Sequence, residues 1–238
     1  MGANRPPKLS NDRVYEMEIE HIYCKKCGKN KGRQPSLTVN PIYCEDCRKG
    51  IVPEDFEGSV AICMLGKAGC GKDTVADYLC RNEQFIRMAL ADPIRDIVQI
   101  ALVKDHESIW DRDKREEELE DFPGFTVRKL LQLVGTELFR KNVSEDIWVR
   151  NLIQRLEPGR NYVITDVRFP NELDQIRNEF GGKTIFVKVV REGCEGKDVG
   201  IQNHESESYD LEGDIVIDNN GSLKDLERKI EKDLVELI

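Results

Sequence analysis

At 238 residues the chain is long enough for a full buried core with room for a small extra module. Charged residues make up 34% against 39% hydrophobic, and no apolar run nears the roughly 20 residues of a membrane span, so a soluble globular protein with no membrane partner is expected. A formal net charge of −9 argues against nucleic-acid binding by the body as a whole.

The opening stretch, MGANRPPKLSNDR, is polar and Pro-bearing and has no apolar run of a secretion signal, which predicts a loose tail over residues 1–22. Four of the eight cysteines fall in two CxxC pairs, and Cys63, Cys70, Cys80 and Cys194 are scattered. Without a secretion signal this usage predicts a reducing, cytoplasmic location. Cys24, Cys27, Cys44 and Cys47 have the spacing of a four-thiolate zinc site. A segment of this size (23–52) buries too little apolar area to fold alone, so a structural Zn²⁺ would supply its folding energy. Redox-active CxxC pairs are the alternative. Lys25, Lys26, Lys29, Lys31, Arg33, Arg48 and Lys49 make this segment basic against an acidic remainder. A zinc–thiolate centre is itself negative, so some of those lysines balance it, and nucleic acid is a possible but unfavoured partner. The Pro, acids and Gly of IVPEDFEG predict a linker, and a second domain is expected over 59–238.

That domain opens on SVAICML (59–65), an apolar run that suits a strand buried on both faces. A helix is expected through DTVADYLCRN, a short strand near FIRMAL, and a helix from about Pro93 to Val103 with Pro in its first turn. Residues 104–123 are dominated by charge and read equally as a solvated helical excursion or a mobile flap. Leu130, Leu131, Val134 and Leu138 recur at helical spacing behind Thr126 as N-cap, and Ser144 is the expected cap of the following helix. YVITD and KTIFVKVV read as buried strands around the helix NELDQIRNEF, which should stop at Gly181 and Gly182. DIVID is a last strand, and Ser222 caps a final helix. Strands alternating with helices predict an α/β fold with a parallel sheet covered on both faces.

Gly66-Lys67-Ala68-Gly69-Cys70-Gly71-Lys72 fits G-x-x-x-x-G-K between a predicted strand and a predicted helix. Glycines let successive backbone N–H groups converge on phosphate oxygens at the positive end of the helix. Lys72 can reach the outer phosphates of a bound nucleotide. Asp73 stands where Ser or Thr usually holds Mg²⁺, and Thr74 follows. Asp73 can hold the ion directly or through water, with helix capping as the structural alternative. Asp166, at the end of YVITD, is the expected second acid steering the metal.

GKAGCGKDT, ALADPIRD, RKLLQLVGTELFR followed by DIWV, VITDVRFPNELDQIR and NHESE together resemble the phage-type deoxynucleoside monophosphate kinases, from about residue 60 to the C-terminus. The resemblance implies a P-loop kinase fold with five parallel strands, ATP and Mg²⁺ as donor system, and a deoxynucleoside monophosphate as acceptor. Arg95 stands where many members have Lys, which keeps the charge but changes the geometry. The cysteine segment lies outside the resemblance.

A monophosphate acceptor is already anionic, so it needs cations to overcome repulsion and no base to take a proton. Arg95, Arg128, Arg140, Arg168 and Arg191 fall near predicted strand ends and helix starts. Arg128 and Gln132 sit one turn apart, which suits Arg128 for the acceptor phosphate and Gln132 for its base, or else forms a plain polar edge. Arg168 shares a side of the sheet with Asp166 if that strand persists, and is the candidate for spanning the transferring group. Trp148 either stacks on a base or packs in the core. Arg191 opens an expected lid over about 191–210, in which His204 reads as structural. Asn219, Asn220 and Gly221 are candidates to touch adenine. Two rival readings remain. One is a kinase of a small hydroxyl-bearing metabolite with Asp92 as base, in which Asp92→Asn abolishes turnover. The other is a nucleotide-switched zinc-ribbon module that docks nucleic acid.

Overall fold

The computed structural model describes residues 19–23, 30–35, 53–102, 109, 111, 114–194, 205 and 208–238. The four paired cysteines, their zinc reading and His204 lie outside these residues, as does most of the expected lid. Strands β1 (Ile19–Tyr23) and β2 (Asn30–Pro35) pair antiparallel, with Ile19 opposite Pro35.

The apolar run after the linker becomes β3 (Val60–Leu65), every residue of which is buried. Its alternating side chains feed two separate layers, which is why both of its faces are apolar. Val60, Ile62 and Met64 pack with Val75, Ala76 and Leu79 of helix α1 (Lys72–Asn82). Ala61, Cys63 and Leu65 face the opposite way, against Ile94 of α2 (Asp92–Leu102) and residues further along the chain. Complete burial of side chains such as Ile62 and Leu65 contributes about 1.5–3 kcal/mol each. Between α1 and α2 runs the short strand β4 (Ile86–Met88).

Of the charged stretch, the described residues include helical Ile109, a 3₁₀ turn at Lys114–Glu116, and a hairpin of β5 (Glu118–Leu119) with β6 (Phe122–Thr126). Thr126 caps the next helix as expected, its Oγ1 accepting from the Lys129 N–H at 3.2 Å. That helix, α3 (Val127–Gln132), then loosens into a π-helical segment, Leu133–Arg140. An i→i+5 ladder advances the register by one residue per turn. Leu138, expected in the core, is therefore 56% exposed, and Phe139 meets Trp148 with ring centroids 5.2 Å apart.

Helix α4 (Ile147–Arg155) begins after Asp146, not at Ser144. Ser144 makes the preceding turn instead, its carbonyl accepting from the Ile147 N–H at 3.2 Å. Strand β7 (Tyr162–Ile164) leads to α5 (Pro170–Glu179), which stops at Gly181, φ +77°. Strands β8 (Lys183–Val190) and β9 (Ile215–Asp218) precede α6 (Leu223–Asp233), capped by Ser222 and Asp225 through reciprocal bonds.

The sheet order is β4-β7-β3-β8-β9, and every neighbouring pair is parallel. α1 and α6 cover one face, while α2, α4, α5 and the π segment cover the other. In such sheets ligands bind outside the carboxyl ends of the strands, where the direction of strand succession reverses. Here that reversal lies beside β3, whose sequence neighbour β4 is separated from it by β7.

Candidate active site

Three glycines shape the turn that leaves β3. Gly66, Gly69 and Gly71 have φ of +121°, +81° and +106°, a region closed to most side chains. A Cβ on Gly66 would lie 2.4 Å from the Val189 carbonyl oxygen, which is backbone and cannot yield. Gly66→Ala is therefore expected to lower stability by at least ~2 kcal/mol, read as a fall in the denaturation midpoint. Unchanged stability would mean that the loop adopts another path.

Lys72 opens α1, and its Nζ donates to the carbonyls of Gly66 and Lys67 at 2.7 Å each. The ammonium thus sits inside the loop's own curl. Asn219 braces the loop from β9, its Nδ2 donating to the Cys70 carbonyl at 2.8 Å. A Cβ on Gly71 would lie 2.2 Å from that nitrogen. Asn219 thus makes a structural contact beside the adenine role expected of it. Its neighbour Asn220 is engaged as well, with Oδ1 accepting from the Glu192 N–H at 2.7 Å.

Asp73 falls in the first turn of α1, where its carboxylate pairs with Arg87; Arg87 also reaches Asp77 at 3.0 Å. Thr74 follows it, half-buried. β7 ends at Ile164, so Asp166 and Arg168 lie on the loop beyond it, and strand geometry does not align them. Asp166 instead clamps that loop to the turn after β4, accepting from the N–H groups of Leu90 (2.7 Å) and Ala91 (2.9 Å).

Two cavities meet at this place. The larger is lined by Gly69, Lys72, Asp73 and Arg191, so the loop and the foot of the expected lid share one cleft. The deeper is lined by Ile94, Leu131, Gln132, Thr136, Trp148 and Phe169. Arg95, Arg115, Arg128, Asp166 and Arg168 line both. The π register turns Gln132, Thr136 and Arg140 inward, each at least nine-tenths buried. Trp148 belongs to the core, 6% exposed, with Nε1 donating to the Gly135 carbonyl at 2.8 Å, and its ring walls the deeper cavity. Arg128 and Gln132 share that cavity as their spacing predicts, and Arg128 is paired with Glu116 of the 3₁₀ turn.

Some site residues escaped the sequence reading. Arg155 is 5% exposed and pairs with Asp92 at 3.3 Å, while its Nη2 donates to the Ala89 carbonyl at 2.8 Å. Burial drags its guanidinium downward, and Asp92 opposes the shift. Asp92 also pairs with Arg95 at 2.7 Å and accepts from the Ala89 N–H at 3.0 Å. Burial, then the Asp166 charge, pushes the Asp92 carboxyl above its usual range. Arg115, inside the charge run, reaches the site because its Nε donates to the Ile109 carbonyl at 2.8 Å. Among the described residues no cluster of three or more His, Cys, Asp or Glu is placed to hold a metal ion.

A family model described as deoxynucleotide monophosphate kinase matches residues 61–124 and 114–230. A protein of Acanthamoeba polyphaga mimivirus, provisionally described as a deoxynucleotide monophosphate kinase, is 33% identical over 189 residues, covering 72% of this chain and 94% of its own. The deoxynucleotide monophosphate kinase of Enterobacteria phage T4 is 26% identical over 240 residues, 73% of this chain and 98% of its own. The deoxynucleoside-5′-monophosphate kinase of Escherichia phage T5 is 45% identical over a shorter stretch of 85 residues, 34% of this chain and 33% of its own.

Proposed function

The chain belongs to the deoxynucleotide monophosphate kinase family, and we propose that its paired cavities transfer the γ-phosphoryl group of ATP to a deoxynucleoside monophosphate. The observation that carries this reading is that Arg95, Arg128 and Arg168 line both the cleft of the phosphate loop and the deeper pocket. The donor triphosphate and the acceptor monophosphate repel, and a shared wall of guanidinium groups offsets that repulsion where they meet.

The donor lies along the loop, whose amides and Lys72 cradle its phosphates. Lys72 must exchange the carbonyls of Gly66 and Lys67 for phosphate oxygens as the nucleotide arrives. The acceptor base enters the deeper pocket between Ile94 and the Trp148 wall, with the Gln132 amide to read its edge. Arg95, held by Asp92, and Arg128 grip the acceptor phosphate. Arg168 and Arg191 stabilise the charge on the group in transit. Closure of the segment from 191 to about 210 excludes water and limits hydrolysis of ATP.

Magnesium keeps several waters and is usually held by one or two carboxylates together with substrate phosphates. The donor set fits such an ion, since Asp73 and Asp166 both line the loop cleft without forming a closed cage. Asp73, Thr74 and Asp166 would hold it, directly or through water. Such an ion would supply positive charge to offset the negative charge of the donor phosphates.

An alcohol acceptor would need a carboxylate free to take a proton, and Asp92 was the candidate. Its oxygens are already engaged by Arg95, Arg155 and the Ala89 N–H. Asp92→Asn also unpairs buried Arg155, so its activity alone does not separate the two readings. The four-thiolate reading of Cys24, Cys27, Cys44 and Cys47 stands on their spacing, and metal analysis of the purified protein measures it.

A panel of deoxynucleoside monophosphates incubated with ATP and Mg²⁺ tests the proposal. Diphosphate is the expected product with at least one base; ATP hydrolysis with the whole panel unchanged would contradict it.

A further inference from the structure

Glu172, the third residue of α5, is 4% exposed and has no part in the steps above. Its Oε2 accepts from the N–H groups of Arg168 at 2.8 Å and Phe169 at 3.1 Å, and its Oε1 accepts from Arg140 Nη1 at 3.4 Å. Arg140 is fixed in turn by the Glu145 carbonyl (2.7 Å) and Asn171 Oδ1 (3.1 Å), and it lies 3.7 Å over the Phe169 ring. One carboxylate therefore joins the π segment, the first turn of α5 and the loop that carries Arg168. β7 has already ended, so no sheet bond reaches that loop position.

An acid at the third helical position commonly reaches back to cap the helix, and that structural role is the reading to beat. Two features go beyond it. The N–H groups that Glu172 holds belong to Arg168, which lines both cavities, and to Phe169, a wall of the deeper one. The carboxylate itself also borders the deeper cavity. We propose that Glu172 is a positioning residue for the transfer, its ionised carboxylate fixing the Arg168 backbone so that the guanidinium stands between donor and acceptor. This rests on the role given to Arg168 above.

The charged groups around Glu172 are Arg140 from the π segment and Asp166 and Arg168 from the loop after β7. Glu145 and Asp146, ahead of α4, reach only its neighbour Asn171. Burial is the largest influence and, with Asp166, pushes the carboxyl up; the two N–H groups and Arg140 pull it down, leaving it at about 7. Protonation below that point weakens the hold on Arg168, so kcat/KM for the monophosphate, which reports the acceptor-free enzyme, should rise as the pH climbs through about 7.

The test compares the full-length chain with Glu172→Gln and Arg168→Lys at saturating ATP and Mg²⁺, between about pH 5.5 and 9. Glutamine keeps the shape and one acceptor oxygen but presents no charge to Arg140. Glu172→Gln should lose about tenfold in kcat at high pH, with KM for the monophosphate changed less than about twofold. Its kcat/KM profile should lack the step near 7 and keep the lower one, near 6, from the acceptor's own second ionisation. A kcat and pH profile equal to wild type, whatever the melting temperature, would overturn the inference. If Glu172→Gln does not fold, the wild-type profile decides: a second step through about 7, above the acceptor's own near 6, supports the inference, and the step near 6 alone overturns it. Unchanged kcat in Arg168→Lys sinks the reading of Arg168 and this inference together. A drop there beside an unaltered Glu172→Gln sinks the inference alone.

Discussion

Lys72→Met is expected to reduce kcat by about a thousandfold while leaving the fold intact. Methionine keeps most of the side-chain volume and removes only the charged nitrogen. In the ligand-free loop that nitrogen donates to two carbonyls of the loop itself, Gly66 and Lys67. Both carbonyls sit where water can replace the ammonium, so little stability depends on the pairing. In the proposed reaction the same charge would face the negative charge that develops on the donor's phosphates during transfer. A thousandfold corresponds to about 4 kcal/mol of lost transition-state stabilisation. The measurement is kcat at saturating monophosphate, alongside a melting curve. A loss smaller than about tenfold would remove Lys72 from the transfer step.

Arg155→Met should instead act on stability, lowering it by about 3–5 kcal/mol. Arg155 is 5% exposed and is the buried partner of Asp92. Its removal leaves the partly buried Asp92 carboxylate beside Asp166 with Arg95 as its remaining cation, and it strips the Ala89 carbonyl of a donor. For a domain of this size the melting temperature should fall by about 10 °C. Adding Asp92→Asn to the variant should restore part of the loss, because the unpaired charge is what costs. A fall below about 1 kcal/mol would show that Asp92 finds another partner at no expense. Arg155 also holds Asp92 where Asp92 holds Arg95, so the same variant should raise KM for the acceptor.

The sheet and the phosphate loop were legible because each is written in local chemistry. VAICML is apolar on both faces, which a buried central strand requires, and the loop's glycines stand where the backbone turns to φ above +80°. Thr126 and Ser222 announced their helices through short-range bonds that need no tertiary partner. The π segment was invisible because apolar periodicity presumes 3.6 residues per turn, which put Leu138 inside and missed Phe139. Arg155 was missed for a different reason. A lone Arg at the end of an amphipathic helix looks like a solvated C-terminal cation, and only the tertiary fold buries it against Asp92. Arg115 was hidden in a run of charges of both signs, where no spacing sets one residue apart. The contact of Asn219 with Cys70 could not be foreseen, since it joins residues 149 positions apart across β8.

In the proposed reaction, guanidinium groups let an anionic acceptor attack unaided, with no carboxylate to deprotonate it. The most direct measurement gives the enzyme ATP, Mg²⁺ and a matched pair, a deoxynucleoside and its 5′-monophosphate, and identifies the phosphorylated products. Diphosphate from the monophosphate and no reaction at the free hydroxyl are expected; phosphorylation of the nucleoside with the monophosphate untouched would overturn the proposed reaction.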